Sequence, residues 1–266
     1  MTRAFGEHHI TIIKNKLRNM IASITHKQKT FRVDFSKPID ISLPVAMGGV
    51  KAWYVTEPII EPVRMGDWIG EVAQGGSVNF KNITFNPHGH GTHTECVGHI
   101  SKEFYSVNKS LKQFMFMAEL ISVLPEEING DLVITKKALE LFLHDKNPEA
   151  LVIRTVSNSD AKLHKNYSDT NPAYINEEAM KYIIEKGIQH LLFDTPSVDK
   201  EVDGGALLAH KAFWEHPHNT NTQRTITELI YVPNSIYDGA YLLDLQVAAF
   251  ENDAAPSRPL LYRMIV

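Results

Sequence analysis

The feature that most constrains this chain is a run of histidines between positions 88 and 99. Four of the thirteen histidines in the 266 residues lie in that run, together with the carboxylate of Glu95. Imidazole groups bind metals and carry protons near neutral pH, and carboxylates commonly complete such sites. On an extended segment, residues two apart point to the same side, so His93 and Glu95 can face one ion while Cys96 faces away. The run therefore predicts that the chain folds around a metal site.

Two glycines in the run bear on which other histidine joins His93. Gly89 and Gly91 flank His90, and glycine allows the tight backbone turn that would bring an earlier histidine beside His93. Either His88 or His90 could be that second ligand. Three imidazoles and a carboxylate suit zinc, manganese or iron. A histidine-rich surface loop without a metal is the alternative interpretation.

A second set of polar residues lies from position 190 onward. Asp194 and Asp199 follow a predicted buried strand, at the place where the catalytic loops of α/β proteins collect. These aspartates are either ligands or hold a turn through hydrogen bonds. A further group of histidines comprises His190, His210, His216 and His218. Glu228 enters an apolar strand, where a carboxylate needs a partner or a metal because a lone buried charge is costly.

Strand-like and helix-like segments alternate between residues 119 and 199. The predicted strands cover 119–124, 151–155 and 191–194, and the helices between them cover 136–143 and 177–186. Thr135 and Asn176 are predicted to cap the two helices. This order predicts an α/β domain with parallel strand pairs. A further strand pair is predicted at 227–232 and 240–249.

Residues 1–30 differ from the rest of the chain because they are polar and rich in lysine. Their apolar residues follow a mild helical period and are Ile13, Leu17, Met20, Ile21 and Ile24. This period predicts a helical arm or extension attached to a single domain that spans 31–266. No internal repeat and no linker divides that domain.

Composition argues against several classes of partner. The formal net charge is −4, which argues against a nucleic acid or an anionic membrane as partner. The single cysteine, Cys96, rules out an intrachain disulfide. The apolar patch at 10–13 is too short for a signal peptide, and no apolar stretch reaches the roughly 18 residues that a membrane helix needs. These features predict a soluble, cytoplasmic protein.

Three motifs occur in an order that resembles a known family. They are Gly91-Thr-His-Thr-Glu-Cys-Val-Gly-His99, Asp194-Thr-Pro-Ser-Val-Asp199, and Leu208-Ala-His210 followed by the strand glutamate Glu228. Together they resemble the cyclase-type metal-dependent hydrolases, the family of bacterial kynurenine formamidase and isatin hydrolase. The resemblance covers roughly residues 35–266, and Ala255-Pro-Ser-Arg-Pro-Leu-Leu261 is similar to the family's closing segment. It implies a compact swivelling β/β/α domain of the α/β class, with a mixed sheet around a metal site, and a homodimer.

The resemblance also implies roles for the motif residues. The implied metal ligands are His88, His93, Glu95, His210 and Glu228, and the implied catalytic acid/base is His99. Gly89 occupies the family's first ligand position. His88 matches that ligand once one residue is inserted, and His90 is the alternative. The implied cofactor is one or two divalent ions, zinc first and manganese second.

The spacing before the last ligand differs from that of the family. His210 and Glu228 stand eighteen positions apart, farther than their family counterparts. Residues 215–220 are therefore predicted to form an inserted loop. His216, which lies in this loop, becomes the alternative to His210 as a ligand.

Other positions also depart from the family's pattern. Glu95 replaces an aspartate that bridges two metals, and its longer side chain would place two ions farther apart or leave only one. Val97 and Gly98 stand where the family has a proline and an apolar residue. The aromatic side chain that lines the family's substrate pocket is matched by Trp53, with Tyr54 as the alternative.

The activity that the resemblance implies is hydrolysis of a small amide, formamide or cyclic amide or ester by metal-activated water, as in an arylformamidase. Two other enzyme classes are weaker interpretations. A cupin-like oxygenase or isomerase would use His88, His90 and Glu95, but Asn82 and Lys102 stand where its motif has glycines. A cysteine hydrolase would use Cys96. A metal-binding protein without catalysis is the non-enzymatic alternative.

Overall fold

The computed structural model describes residues 19–265 of the chain. Its strands are β1 (Ile21–His26), β2 (Lys29–Asp34), β3 (Ile39–Asp40), β4 (Ile59–Pro62), β5 (Arg64–Met65), β6 (Trp68–Ile69), β7 (Lys81–Thr84), β8 (His93–Glu95), β9 (Met115–Val123), β10 (Glu126–Ile128), β11 (Asp131–Ile134), β12 (Ala150–Thr155), β13 (Tyr174–Ile175), β14 (His190–Phe193), β15 (Thr225–Glu228), β16 (Gly239–Val247) and β17 (Ala254–Ile265). Its helices are α1 (Val107–Ser110), α2 (Lys136–Leu143), α3 (Glu177–Glu185) and α4 (Leu208–Phe213).

A ten-stranded mixed sheet dominates the fold. Its strands follow the order β1-β2-β17-β16-β9-β12-β14-β15-β8, and β3 pairs with β17. Strand β8 also pairs with β17, so the strands from β17 to β8 close into a barrel-like ring. The neighbours β9, β12, β14 and β15 run parallel, as the strand–helix–strand order predicts, and the other pairs in this sheet are antiparallel. The predicted α/β class with a mixed sheet is confirmed.

The centre of the sheet is buried on both faces. Every residue of β12 and β14 is buried, as expected for parallel strands that are covered on both sides. Helices α2 and α3 cover one face through an apolar cluster that includes Leu139, Leu143, Met180 and Ile183. Both predicted caps are confirmed, because the side chains of Thr135 and Asn176 accept hydrogen bonds from backbone N–H groups in the first turns.

The predicted N-terminal helix is wrong where the structure describes it. Residues 21–26 form β1, which pairs with β2 in an antiparallel hairpin. Lys27 and Gln28 both have positive φ, the backbone geometry that closes a two-residue hairpin. Strand β2 continues the main sheet by pairing with β17, and Ile24 packs against the apolar cluster there. Residues 1–18, which carry the rest of the predicted arm, lie outside the described residues.

The predicted strand pair near the C-terminus is also corrected. Both strands exist, as β15 and β16, but they do not pair with each other. Strand β15 lies between β14 and β8, whereas β16 lies between β9 and β17. The hydrophobic pattern identified both strands, but the choice of partner depends on the whole sheet. Within residues 19–265, no helix is both long and apolar enough to cross a membrane.

Candidate metal centre

The histidine run passes through β8, the strand that closes the ring of the main sheet. All three residues of β8 are buried, and β8 pairs with β15 on one side and β17 on the other. In this register His93 lies directly opposite Glu228. Gly91 precedes the strand with φ +69, and a Cβ there would lie 2.8 Å from the carbonyl oxygen of Leu43. Only glycine fits this turn, which directs the chain into β8.

Glu95 is at the centre of the site and is fully buried. Its Oε1 lies 3.2 Å from His210 Nε2, and its Oε2 lies 3.0 Å from His88 Nδ1 and 3.7 Å from His99 Nδ1. Burial opposes the negative charge, but His99, His210 and His88 hold the pKa of Glu95 well below its ordinary value. Its two oxygens thus face different histidines.

Two of these histidines are each oriented by a further carboxylate, different for each histidine. His210 Nδ1 donates to Asp199 Oδ2 at 2.6 Å, which leaves Nε2 directed at Glu95. His88 Nε2 donates to Asp253 Oδ2 at 2.7 Å, which leaves Nδ1 directed at Glu95. Carboxylates that hold the outer nitrogen of a histidine are typical partners of metal-binding imidazoles, because they fix the tautomer and the ring orientation.

His93 and Glu228 complete the cluster. His93 Nδ1 lies 3.3 Å from the carbonyl oxygen of Gly91, and its Nε2 lies 3.4 Å from Glu228 Oε2. Glu228 Oε1 accepts a hydrogen bond from the backbone N–H of Val198 at 3.0 Å and lies 3.9 Å from His210 Nε2. Each of the three histidines therefore has one ring nitrogen held and the other turned toward buried carboxylate oxygens.

The donor atoms fit a divalent cation. Four buried atoms at the centre lie close to one another or to His88, yet form no well-aligned hydrogen bond within the described part of the chain: His93 Nε2, His210 Nε2 and both carboxylate oxygens of Glu95. Leaving such groups unpaired in the interior is costly, and coordination to a metal would satisfy all four. Potential ligand atoms within 4.8 Å of one another form two groups that share Glu95: His93, Glu95 and Glu228, and His88, Glu95 and His99. Imidazole and carboxylate are ligands that zinc and manganese accept.

Charge at the site also favours a cation. Burial disfavours the charged form of His210, but Asp199 and Glu95 raise its pKa to about 10. For His88, burial acts in the same direction, and Asp253 and Glu95 raise the pKa to about 10. The carboxylates therefore attract positive charge strongly. A divalent cation would compete with these protons for the same ring nitrogens.

The structure brings His88 rather than His90 to Glu95. His90 is buried, but its Nδ1 accepts from the backbone N–H of Asn86 at 2.9 Å and its Nε2 donates to the carbonyl oxygen of Thr56 at 2.7 Å. Both nitrogens of His90 are thus used by the backbone. This arrangement also leaves the cupin-like interpretation without its second histidine.

His210 rather than His216 lies in the cluster. Helix α4 carries His210 inward, whereas His216 lies in the turns that follow the helix, with its Nδ1 3.1 Å from Thr220 Oγ1. These turns correspond to the predicted loop at 215–220. Arg224 ties the loop to the fold through an ion pair of 2.7 Å with Glu215.

His99 lies at the edge of the cluster. It belongs to a single turn of 3-10 helix after β8, and 32% of its side-chain surface is exposed. Its Nδ1 lies 3.6 Å from Asp253 Oδ2, and its ring lies 4.3 Å from that of His88 between centroids. His99 is thus the most solvent-accessible of the clustered histidines.

The predicted aromatic residues differ in their surroundings. Trp53 is half-buried and packs against a cluster that includes Leu43, Tyr167 and Leu229, the residue directly after Glu228. Tyr54 is 65% exposed, and its hydroxyl donates to Asp169. Of the two candidates, Trp53 is therefore the one that packs against the cluster next to Glu228.

Cys96 does not face the cluster. It is fully buried and packs with Val107 and Ala255, and burial raises the pKa of its thiol. A thiol with a raised pKa is a poor nucleophile, so this environment argues against the cysteine-hydrolase interpretation.

The two aspartates of the second motif make hydrogen bonds, and only Asp199 bonds a residue of the cluster. Asp199 holds His210, as described above. Asp194 is buried after β14, where it accepts from the backbone N–H of Thr155 at 2.8 Å and from Lys162 Nζ at 2.6 Å. Neither belongs to the groups of converging ligand atoms. The geometry therefore favours hydrogen bonding over metal ligation as the role of both aspartates.

Asp253 was missed by the sequence analysis. It lies 165 positions from His88 and just before β17. The only signal for it in the sequence is that it stands two residues before the closing segment that resembles the family's.

Comparison with known proteins identifies the family. The family model described as "Putative cyclase" matches residues 39–200, more than half of the chain. The chain belongs to the cyclase family. The kynurenine formamidase of Bacillus thuringiensis (strain Al Hakam) is 30% identical over 228 residues, which cover 85% of this chain and 97% of that protein. The family resemblance drawn from the motifs is confirmed.

Solved structures of other cyclase-like proteins share the fold. One, described as a potential metal-dependent hydrolase with cyclase activity, has a TM-score of 0.61 at 17% identity and covers 85% of this chain and 98% of that one. Isatin hydrolase A from Labrenzia aggregata has a TM-score of 0.61 at 15% identity and covers 85% and 93%. The formamidase relatives confirm the predicted class, a metal-dependent hydrolase of non-peptide C–N bonds.

Proposed function

We propose that this cyclase family member hydrolyses a small aryl formamide, or a related amide, cyclic amide or ester, with water activated by a divalent cation. The observation that carries the proposal is the convergence of three histidine nitrogens on two buried carboxylates. The proposed ligands are His88, His93, Glu95, His210 and Glu228. The formamidase relatives support the choice of a formamide as the first substrate class to test.

Zinc is the proposed metal, with manganese as the alternative. Both accept the mixed nitrogen and oxygen ligands of this site. The two oxygens of Glu95 face His210 and His88 on different sides, an arrangement that supports two ions sharing this carboxylate. Measuring the number of ions per chain tests this part of the proposal.

Beside the metal ligands, the proposal assigns proton transfer and substrate contact to two further residues. A divalent cation, when bound, lowers the pKa of water toward neutrality and polarises a carbonyl group. His99 is the proposed acid/base, because it borders Glu95 and is open to solvent on its other side. It would take a proton from the attacking water at a ring nitrogen and pass it to the leaving nitrogen or oxygen. Trp53 is the proposed contact for the aromatic part of the substrate.

The test uses protein that has never been exposed to a chelator. We expect at least one equivalent of zinc or manganese by elemental analysis. We also expect hydrolysis of at least one aryl formamide, lost with a chelator and restored by adding the metal. Less than one equivalent with no uptake of either metal would contradict the metal site. Turnover that the chelator leaves unchanged would contradict the metal-dependent mechanism.

We further infer a homodimer in the cytoplasm. Support for a dimer comes from the small sheets of β4 with β7 and β5 with β6, together with the residue just before β7. This region exposes large apolar side chains: Ile59, Ile60, Met65, Phe80 and Ile83. Exposed apolar residues grouped in this way are typical of interaction surfaces. The cytoplasmic location rests on a chain with one cysteine, which needs no oxidising compartment. Light scattering after size-exclusion chromatography tests the dimer, and a monomeric mass would contradict it.

A further inference from the structure

The site contains two carboxylate–histidine pairs on opposite sides of Glu95. Asp199 holds His210 on one side, and Asp253 holds His88 on the other. The donor–acceptor distances are similar, 2.6 and 2.7 Å. Asp199 belongs to the motif Asp194-Thr-Pro-Ser-Val-Asp199, which was recognised in the sequence. Asp253 belongs to none of the motifs, and its carboxylate faces a second histidine, because Oδ2 also lies 3.6 Å from His99 Nδ1.

The backbone around Asp253 is fastened to the strand that carries the ligands. The carbonyl oxygen of Asp253 accepts a hydrogen bond from the N–H of Cys96 at 3.0 Å. The following residue, Ala254, pairs with Glu95 in the register of β17 and β8. The preceding residue, Asn252, accepts from the backbone N–H of Val107 at 2.9 Å. These bonds fix the position of the carboxylate relative to Glu95.

Gly98 leaves the space that this approach requires. A Cβ at Gly98 would lie 3.0 Å from the Cβ of Asp253 and 2.4 Å from the carbonyl oxygen of Tyr105. A larger residue at this position would clash with the backbone of Tyr105 and would also crowd Asp253. Gly98 is also one of the positions where the sequence departs from the family's pattern.

We propose that Asp253 is a positioning residue that orients His88 and His99 together. By accepting from His88 Nε2 it keeps Nδ1 turned toward Glu95, and the same oxygen faces the His99 ring. A single carboxylate would thus align a metal ligand with the acid/base. The proposal rests on the proposed function, because it assigns Asp253 to the histidines of that mechanism.

Asp253→Asn and Asp253→Ala test the proposal at the metal. Asparagine keeps the size and one acceptor oxygen, whereas alanine removes the partner of His88. We expect the affinity for zinc, measured by competition with a chromophoric chelator, to fall by about 10–100-fold in the alanine variant and by less in the asparagine variant. Glu251→Gln is the matched control, because this nearby carboxylate contacts Asn108 and Lys109 instead of the histidines. It should bind zinc as the wild type does.

A double-mutant cycle with His99 tests whether Asp253 also orients the acid/base. At saturating zinc, Asp253→Asn should lower kcat and leave KM unchanged, because Asp253 does not contact the substrate in this proposal. In a His99→Asn background the same substitution should cause no further loss of kcat, since its effect passes through His99. An equal loss of kcat in both backgrounds would overturn the link to His99.

The outcomes separate this inference from the proposed function. If the wild type binds no metal and hydrolyses no formamide, the proposed function is wrong. If the wild type does both and the Asp253 variants match it in zinc affinity and in kcat, only the role of Asp253 is wrong. If Asp253→Ala loses zinc as completely as His93→Ala, Asp253 is itself a ligand, and the positioning role is overturned.

Discussion

His93 and Glu228 face each other directly across antiparallel strands, and His93 Nε2 lies 3.4 Å from Glu228 Oε2. Both side chains are almost fully buried. Two residues at the same rung of a sheet are held by backbone hydrogen bonds on both sides, so their separation cannot relax easily. The pair therefore forms a rigid edge of the site, on which the remaining ligands from α4 and from the histidine run converge.

We predict that Glu95→Gln loses most of its metal affinity. The substitution keeps the shape of the side chain but removes the negative charge that both histidine groups share. The measurement is metal affinity by competition with a chelator, alongside circular dichroism to follow the fold. Glu119→Gln is the control, because Glu119 is also a buried carboxylate but pairs with Lys146. Equal metal binding by the Glu95 variant and the wild type would remove Glu95 from the site.

We predict that His210→Ala and His216→Ala differ sharply in metal binding. His210 is 2% exposed and directs Nε2 at Glu95, so its loss should reduce affinity by more than the about 10–100-fold that a supporting partner contributes. His216 bonds Thr220 in the turns after α4, so its loss should leave affinity unchanged. Isothermal titration with zinc compares the two variants directly. The opposite pattern would mean that the wrong histidine has been assigned.

We predict that His99→Asn keeps its metal but loses turnover. A ligand is required for metal binding, whereas a proton carrier is required only for the reaction. Turnover should fall by about two to four orders of magnitude, the usual contribution of a placed acid/base. Elemental analysis and the rate with an aryl formamide are measured on the same preparation. Loss of the metal would make His99 a ligand, and an unchanged rate would make it a bystander.

We predict that His190 makes the protein less stable at mildly acidic pH. Burial lowers the pKa of His190 from 6.5 to about 4, and its ring packs on Phe116 while Nδ1 contacts Thr225. Because the folded pKa is the lower one, the unfolded chain binds more protons between these values. Stability is therefore fully present above about pH 6.5 and is lost as the pH falls toward 4.

The measurement for His190 is the free energy of unfolding of the wild type and of His190→Gln across that range. The difference between the two proteins should change by about 3 kcal/mol from pH 7 to pH 4, at about 1.4 kcal/mol for each unit of pKa. The metal ligands titrate in both proteins, so the comparison isolates His190. A difference that does not vary with pH would show that His190 is not held in its neutral form.

Local patterns in the sequence predicted most of the parallel core. Capping residues Thr135 and Asn176 begin their helices as expected, because a cap acts on backbone groups only two or three residues away. The strands of the parallel region were found because burial on both faces selects continuous apolar runs. The helix predicted for the N-terminal segment was wrong because no local signal decided between helix and strand. A short apolar period could suit a helix or a strand, and pairing with β2 and β17 decided the outcome.

Some relationships within the site also follow from the local sequence, whereas others depend on tertiary contacts. The sequence alone determined that His93 and Glu95 share a face, because the two-residue period of a strand is a property of the local backbone. It left open whether His88 or His90 joins them, and it could not find Asp253, which lies 165 positions from His88. Those relationships depend on which strands and loops meet across the sheet. Only the tertiary structure decides them, because contacts between distant segments are set by packing of the whole domain and leave no local period to read.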